Sequence, residues 1–238
     1  MNKKVIYTSI FGNYDTLPDI TYYPPGFDFI CFTDSDIQAL GWKVIKVLPL
    51  YNDNTRNAKK YKILPHRYLK DYEISIYIDG NFSVTKDINK LIDLYLIDAN
   101  AAFHNHSKTA LDPRNCIYQE ANIILSFGKR NMQLWPERGM LNYKDNPETI
   151  IKQVQKYQSE GYPQNNGLIK GGIILRRHNE KECITAMENW WSEIKYHSKR
   201  DQLSFNYVAW KTNFKFNYMP HDIRNSEYFS YNKHNHQK

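Results

Sequence analysis

Short apolar runs, each closed by a polar cluster, recur along the first half of the chain. Such runs bounded by turn residues are typical of strands, and alternation of polar with apolar positions indicates a strand with one exposed face. The pattern predicts strands at residues 4–10, 27–33, 42–48, 73–78 and 101–103. Residues 73–78 give the strongest of these signals, and Asp79-Gly80-Asn81 ends that strand.

Apolar residues at helical spacing are more frequent in the second half. Helices are predicted at residues 57–69, 88–96, 118–127, 148–158, 180–196 and 202–211, and two further strands at 172–175 and 214–218. Pro65 lies inside the first helix and must kink or interrupt it, because proline has no backbone N–H to donate.

The order of these elements predicts the fold class. Strands alternate with helices, and neither an internal repeat nor a linker is visible. We therefore expect one α/β domain over residues 1–231, with a Rossmann-like, mainly parallel sheet flanked by helices. The polar residues 232–238 are expected to form a disordered tail.

Composition adds a preference for an anionic partner. The net charge of +7 suits a phosphorylated small molecule, a nucleic acid or a membrane surface, and does not select among them. Cys31, Cys116 and Cys183 are odd in number and lack paired spacing, which excludes a disulfide framework and a cysteine metal cluster. We expect buried free thiols in a reducing compartment. The N-terminal apolar run is too short for a signal peptide and no stretch could span a bilayer, so a cytoplasmic protein is expected.

Three predicted strands end in polar clusters, where ligands collect in open α/β sheets. The clusters are Thr8-Ser9 with Gly12-Asn13-Tyr14-Asp15, then Thr33-Asp34, then Asp79-Gly80-Asn81. The last is the most informative, because a carboxylate with a second oxygen ligand two positions later can hold Mg²⁺ or Mn²⁺. Such a cation would neutralise a departing nucleotide diphosphate. The same tripeptide is also a common tight turn, and taken alone it favours the turn.

Other polar segments could complete a site around this motif. Cations of the segment 56–66 could contact a phosphate, although a solvated basic helix face explains them equally well. The asparagines and glycines of 165–172 could approach a sugar or form an ordinary loop. Asp201 could be only the N-cap of a helix. His221 could be a third metal ligand or a surface residue.

Taken in order, these segments resemble the glycosyltransferases of the GT-A fold. The resemblance is closest to a glycosyltransferase-like family of bacterial polysaccharide loci and plant wall-related proteins, long described as a domain of unknown function. The matching residues span nearly the whole chain: 7–15, 32–34, 56, 62, 65–66, 77–81, 104–106, 114–120, 166–167, 171–172 and 201–202.

The resemblance implies a nucleotide-binding half, residues 1–100, and an acceptor and sugar half, residues 101–231. The implied donor contacts are Thr8, Tyr14, Asp34, Arg56, Lys62, His66, Asp79, Gly80 and Gly172. The implied metal ligands are Asp79, Asn81 and His221, and the implied catalytic or sugar-contacting residues are Asp201, Gln202 and Asn166. Asn81 replaces the second acidic residue of the family 8 Asp-x-Asp motif, and a neutral amide binds a divalent cation more weakly than a carboxylate.

These assignments predict a metal-dependent glycosyltransferase. We expect an acceptor hydroxyl to attack the anomeric carbon of a nucleotide sugar, by the resemblance a UDP-sugar. Mn²⁺ or Mg²⁺, with Lys62 or Arg56, would stabilise the diphosphate. The expected acceptor is a saccharide or glycolipid of a surface polysaccharide such as capsule or lipopolysaccharide, which would bring the enzyme to the inner face of a membrane. Whether Asp201 acts as a base, with inversion, or positions the sugar, with retention, stays open.

Three other functions share part of this pattern. A catalytically degenerate nucleotide-sugar-binding protein would explain Asn81. A sugar nucleotidyltransferase would share the sheet and the metal, but its first loop is usually rich in glycine and cations, whereas residues 11–15 contain one glycine and no cation. Nucleic-acid binding would suit the charge, but the sequence has no nucleic-acid-binding motif and no long basic tract, so no nucleic-acid partner is expected.

Overall fold

The computed structural model describes residues 3–232 and contains nine strands and seven α-helices within them. The strands are β1 (Lys4–Ile10), β2 (Phe27–Thr33), β3 (Lys43–Lys46), β4 (Ile74–Ile78), β5 (Phe82–Val84), β6 (Ala101–Asn105), β7 (Ile169–Arg176), β8 (Asn217–Met219) and β9 (Phe229–Tyr231). The helices are α1 (Asn54–Ile63), α2 (Pro65–Tyr68), α3 (Asn89–Tyr95), α4 (Ile117–Leu134), α5 (Pro147–Ser159), α6 (Lys181–Tyr196) and α7 (Phe205–Lys211).

Seven strands form the central sheet, in the order β3-β2-β1-β4-β7-β6-β8. Strands β1 to β4 run parallel and β6 is parallel to β8, whereas β7 is antiparallel to both of its neighbours. The predicted α/β fold with a mainly parallel sheet is therefore confirmed. Because β7 is reversed, its first residues lie at the edge where β1 and β4 end, with Ile173 opposite Ile78.

Several element ends differ from the prediction, most of all in α4, which was predicted at 118–127 and extends to Leu134. Three further local differences separate the structure from the predicted elements. Strands β5 and β9 were not predicted, and they pair into a small antiparallel sheet. The helix predicted at 202–211 is a 3-10 turn, Asp201–Leu203, followed by α7. The strand predicted at 214–218 is shifted to β8. The predicted interruption at Pro65 is confirmed, since α1 ends before this proline and α2 begins with it.

Each face of the central sheet packs against its own apolar core, as the period of two along a strand requires. Val5 and Tyr7 of β1 belong to one core, and Ile6 between them belongs to the other. Residues of α1, α4, α6 and α7 close the first core, and residues of α3 and the small sheet close the second. With both faces covered, the strand ends are the part of the sheet left for binding.

Three predictions about the chain as a whole can be compared with the structure. The three cysteines are buried free thiols, as predicted. Within residues 3–232, no helix is both long enough and apolar enough to cross a bilayer. Asn232, the first residue of the predicted tail, donates its backbone N–H to the carbonyl oxygen of Asn81 at 2.8 Å, so it is tied to the fold. The rest of that tail, 233–238, lies outside the described residues.

Candidate functional site

A cleft of about 710 Å³ lies at the edge of the sheet where β1 and β4 end and β7 begins. Its lining consists of residues 9–12, 14–15, 54–55, 58–59, 62, 77, 79–82, 144, 170–172, 199–202, 223–224 and 231. Among these described residues, seven lysine or arginine side chains face three carboxylates. The cleft is therefore electropositive and suits an anionic ligand.

Asp79-Gly80-Asn81 forms part of this lining and is also a turn. The backbone N–H of Phe82 donates to the carbonyl oxygen of Asp79 at 2.9 Å, while the N–H of Asp79 donates to Gly172 at 2.8 Å. The Asp79 side chain is 39% exposed. Gly172 allows β7 to approach it, because a Cβ there would lie 3.1 Å from Asp79 Oδ2. The turn and the binding role are thus compatible, and the predicted donor contacts Asp79, Gly80 and Gly172 all line the cleft.

Two lysines of α1 converge on one buried carboxylate beside this turn. Lys62 Nζ lies 2.9 Å from Asp201 Oδ2 and 3.4 Å from Asp79 Oδ1. Lys59 Nζ lies 3.0 Å from Asp201 Oδ1. The result is a linked network of charges, Lys59–Asp201–Lys62–Asp79, that reaches from the interior to the open part of the cleft.

The network sets the protonation of its members. Burial of Asp201 opposes its ionisation, but Lys59, Lys62 and Arg200 hold the pKa of this carboxyl far below its usual range. Burial lowers the pKa of Lys59 to about 8, although Asp201 opposes the change. Burial acts in the same sense on Lys62, but Asp201 and Asp79 outweigh it and raise the Lys62 pKa. At neutral pH, Asp201 is ionised and Lys62 is a fixed cation.

Buried hydrogen bonds hold Lys62 and Asp201 in place. Arg176 is fully buried on β7 and donates to the carbonyl oxygen of Lys62 at 2.7 Å and to the hydroxyl of Tyr7. Tyr7 donates to the same carbonyl oxygen at 2.7 Å. Trp190 Nε1 of α6 donates to the carbonyl oxygen of Asp201 at 3.1 Å. The charged groups of the cleft are therefore anchored to the apolar core.

The predicted donor contacts near β1 and β2 reach different places. Tyr14 lines the cleft. Thr8 is fully buried on β1 and does not line it, whereas Ser9 does, because successive side chains leave a strand on opposite faces. Asp34 also lies outside the lining. It accepts a hydrogen bond from the N–H of Gly12 at 2.9 Å and so shapes a loop of the cleft wall.

Arg56 and His66, the other predicted donor contacts of the basic segment, are not part of the lining. Arg56 lies 2.7 Å from Asp53 and also donates to carbonyl oxygens at the end of α6. His66 Nε2 lies 2.7 Å from Glu188 Oε1, again on α6. Both side chains tie the α1–α2 region to α6.

Two of the three predicted catalytic or sugar-contacting residues line the cleft. Besides Asp201, the lining includes Gln202, whose Nε2 donates to the carbonyl oxygen of Ile169 at 3.1 Å and whose Oε1 accepts from Arg200 at 3.1 Å. Asn166 is exposed in the loop before β7 and does not line the cleft.

Two of the three predicted metal ligands line the cleft. Asp79 and Asn81 line the cleft, but His221 is exposed on the turn after β8 and does not. Within residues 3–232, no three His, Cys, Asp or Glu side chains are grouped to hold a metal ion. The Asn81 amide donates to the carbonyl oxygen of Asn232 at 3.2 Å. The residues fit a cation bound by Asp79, beside Asn81, with phosphate and water oxygens completing its shell, as Mg²⁺ sites often have.

The predicted set omitted most cations of the cleft. The omitted residues are Lys59, Lys144, Lys170, Lys199, Arg200 and Arg224. Lys59 could have been identified from the sequence, because a residue three positions before Lys62 lies on the same face of a helix. The others come from separate segments that only the tertiary fold brings to one cleft.

Comparisons with known sequences identify relatives of the chain. The family model of the TOD1/MUCI70, glycosyltransferase-like domain matches residues 31–234. A curated relative, the probable hexosyltransferase MUCI70 of Arabidopsis thaliana, is 30% identical over an alignment of 191 residues, and the match covers 72% of this chain. The chain spans only 29% of the length of that relative.

Comparison of the chain with solved structures identifies two glycosyltransferases among the matches. The apo structure of the bifunctional glycosyltransferase WbbM has a TM-score of 0.44 and 12% identity, covering 92% of this chain and 38% of that one. The galactosyltransferase LgtC, in complex with donor and acceptor sugar analogues, has a TM-score of 0.46 and 12% identity, covering 90% of this chain and 72% of that one.

Proposed function

The chain belongs to the TOD1/MUCI70 glycosyltransferase-like family, and on that premise we propose that its cleft binds a nucleotide sugar and transfers the sugar to an acceptor hydroxyl. The observation that carries the proposal is the contact of Lys62 with both Asp201 and Asp79 inside the cleft. It combines a fixed cation, a buried carboxylate and an accessible carboxylate at the sheet edge where nucleotides bind in α/β folds.

A phosphate-bearing donor suits this part of the cleft because the Lys62 ammonium group lies beside the accessible carboxylate of Asp79. We assign its diphosphate to the space beside Asp79 and Lys62, since an ammonium group stabilises negative charge that develops on a leaving phosphate. The donor we propose is a UDP-sugar. A hexose is the proposed sugar, because the Arabidopsis relative carries the description of a probable hexosyltransferase.

We further propose that Mn²⁺ or Mg²⁺ assists the reaction. Asp79 would hold the ion, with Asn81 beside it, and a bound divalent ion neutralises charge on the diphosphate. Lys62 lies 3.4 Å from Asp79 Oδ1, so it orients this carboxylate and adds a protein cation at the same place. His221 has no part in this proposal.

Asp201 is assigned to positioning rather than to proton abstraction. A general base is most effective when its pKa lies near the working pH, whereas the pKa of Asp201 is held far below its usual range. Its carboxylate can accept hydrogen bonds from sugar hydroxyls while it holds Lys59 and Lys62. The proton of the attacking hydroxyl would then pass to a phosphate oxygen of the leaving group. This role favours transfer with retention.

The biological setting we propose follows from the same reaction. The acceptor would be a saccharide or glycolipid of a surface polysaccharide. If that acceptor is linked to a lipid, the net charge of +7 would help the protein to associate peripherally with an anionic membrane.

A screen of nucleotide sugars by thermal shift, with and without Mn²⁺, tests the proposal. We expect UDP-sugars to raise the unfolding temperature more than GDP-, ADP- or dTDP-sugars, because a ligand that binds only the native state stabilises it. The best donor should also be hydrolysed slowly in the absence of acceptor. No rise with any nucleotide sugar would overturn the proposal. A rise without hydrolysis or transfer would favour a nucleotide-sugar-binding protein that has no turnover.

A further inference from the structure

The positive charge of the cleft is unevenly distributed. Near β4, Lys59 and Lys62 lie against Asp201 and Asp79, so two cations meet two carboxylates. The excess lies on the second half of the chain. Its members, called here the second-half cations, are Lys144, Lys170, Arg200 and Arg224, all of which line the cleft. Lys199, the seventh cation of the lining, lies 3.3 Å from Asp53 and is not counted among them.

The carboxylates near the second-half cations are few and already engaged. Within residues 3–232, two of them lie within 4 Å of this set: Glu120, 3.7 Å from Arg200, and Asp222, 3.8 Å from Lys170. Glu120 is buried and lies closer to Arg114, at 2.6 Å. The oxygens of Asp222 each accept a backbone N–H. Both distances are long for ion pairs, so the four cations are only partly neutralised.

Two further observations indicate that the second-half cations could bind an additional anion. Arg200 Nε is buried and has no hydrogen-bond partner, which is costly for a charged group. Burial and the neighbouring Arg200 lower the pKa of Lys144. Burial also lowers the pKa of Lys170, and Arg224 adds to this effect against a nearby carboxylate. An anion placed among these groups would relieve their mutual repulsion.

The donor does not account for these charges. Under the proposed function, the diphosphate lies beside Asp79 and Lys62, and a diphosphate bridged to a divalent cation is close to neutral. Within residues 3–232, none of the second-half cations lies within 4 Å of the carboxylate of Asp79 or of Asp201. They therefore need a counter-ion from another group of the substrates.

We propose that the second-half cations bind an anionic sugar, one that carries a carboxylate or a phosphate. The proposal rests on the proposed function, which fixes the donor's position. The charge can come from an acidic acceptor saccharide or from a uronic acid as the donor sugar. Both present the same chemistry to lysine and arginine, which bind such oxyanions through charge-assisted hydrogen bonds.

Calorimetric titrations distinguish the two sources. In one arm, hyaluronan hexasaccharide and maltohexaose are titrated into the protein, first alone and then saturated with UDP and Mn²⁺. In the other arm, UDP-glucuronate is compared with UDP-glucose. We expect at least one acidic ligand to bind about tenfold more tightly than its neutral counterpart, with a preference that weakens as salt rises. Preference in the first arm assigns the charge to the acceptor, and preference in the second assigns it to the donor.

A double variant, Lys144→Ala with Arg224→Ala, tests whether these cations cause the preference. Both residues keep exposed surface, although the Lys144 ammonium group is partly buried, so the fold should persist. The matched control is Lys152→Ala, which removes an exposed cation outside the cleft. We expect the double variant to lose the acidic preference, while its affinity for UDP stays within about twofold of wild type. The control should behave as wild type.

Three results would overturn the inference. Acidic and neutral ligands could bind the wild type equally, or the double variant could keep the preference. The double variant could also lose UDP affinity as strongly as affinity for the acidic ligand, which would assign these cations to the diphosphate. UDP binding to wild type without an acidic preference contradicts this inference alone. Failure of every nucleotide sugar to bind contradicts the proposed function, while the arm without UDP still tests the anion site.

Discussion

At the residue scale, Asp201 is the buried carboxylate that pairs with two lysines of the site. Its two oxygens lie 3.0 Å from Lys59 and 2.9 Å from Lys62, in surroundings that exclude most water. Removing one member of a buried ion pair costs more than the pair contributes, because the remaining charge is left without compensation. A substitution of Asp201 should therefore affect both the chemistry of the cleft and the stability of the fold.

The substitution Asp201→Asn should lower the free energy of unfolding by about 3 kcal/mol at pH 7, since it leaves two buried ammonium groups short of a counter-charge. The folded pKa of Asp201 lies below its unfolded value, so its contribution is complete above the unfolded pKa of about 3.9 and is lost as pH falls through the folded pKa. The difference between wild type and variant should thus shrink below about pH 4.

Urea denaturation at pH 7 and at about pH 3.5 measures this difference. The exposed Asp93→Asn variant is the control and should change stability by less than about 0.5 kcal/mol. Equal stability of wild type and Asp201→Asn at pH 7, or a difference that grows in acid, would contradict the assignment.

The substitution Gly172→Ala should weaken ligand binding while it changes the stability of the fold only slightly. The added Cβ would lie 3.0 Å from Ile223 Cδ1 and 3.1 Å from Asp79 Oδ2, so the Asp79 carboxylate must shift. Affinity for UDP with Mn²⁺ should fall about tenfold, while the unfolding temperature changes by only a few degrees. Calorimetry and a thermal scan measure the two quantities. Unchanged affinity would show that the position of Asp79 is not critical.

The sequence located some of these residues and misplaced others for physical reasons. Lys62, Asp79 and Asp201 all line one cleft, as predicted. They could be located from the sequence because strand ends and helix faces follow from local patterns. Thr8 and Ser9 are neighbours on a strand buried on both faces, and hydrophobicity cannot tell which side of such a strand faces the site. His221 was predicted as a metal ligand because it follows a strand, but the chain turns there and leaves this residue exposed to solvent.

At the element scale, local periodicity was enough for the central sheet. Strands β1 and β2 match their predicted bounds because each is a short, mostly apolar segment that is closed by a polar cluster. Strands β5 and β9 have three residues each and pair across most of the chain, so no local pattern marks them. Their pairing nevertheless bears on the site, because Asn81 immediately precedes β5 and Tyr231 of β9 lines the cleft.

Removal of β9 should therefore weaken donor binding. A variant that ends at Asn225 lacks the contact between the rings of Phe82 and Tyr231 and both hydrogen bonds between Asn81 and Asn232. Its affinity for UDP with Mn²⁺ should fall about tenfold. A variant that ends at Asn232 keeps these contacts, and it is the control, expected to bind as the full chain. Equal affinity of the two shortened chains would exclude a role of β9 in shaping the site.

At the scale of the whole molecule, the sheet topology and the distribution of charge point to the same cleft. The reversed strand β7 brings Gly172 from the second half of the chain against Asp79 from the first, so neither half forms the site alone. Near β4, Lys59 and Lys62 are paired with carboxylates, whereas the second-half cations are only partly neutralised. The net charge could not predict this uneven distribution, because it depends on which segments meet in three dimensions.

The donor hydrolysis and UDP affinity of Asp79→Ala test the central claim most directly. With the donor found in the thermal-shift screen and Mn²⁺ present, we expect hydrolysis to fall roughly hundredfold or more and the Mn²⁺ enhancement of UDP binding to disappear, while the unfolding temperature stays close to wild type. Asp93→Ala, which removes an exposed carboxylate outside the cleft, should retain both properties. Retention of hydrolysis and of Mn²⁺-enhanced UDP binding in Asp79→Ala would contradict the assignment of the donor site.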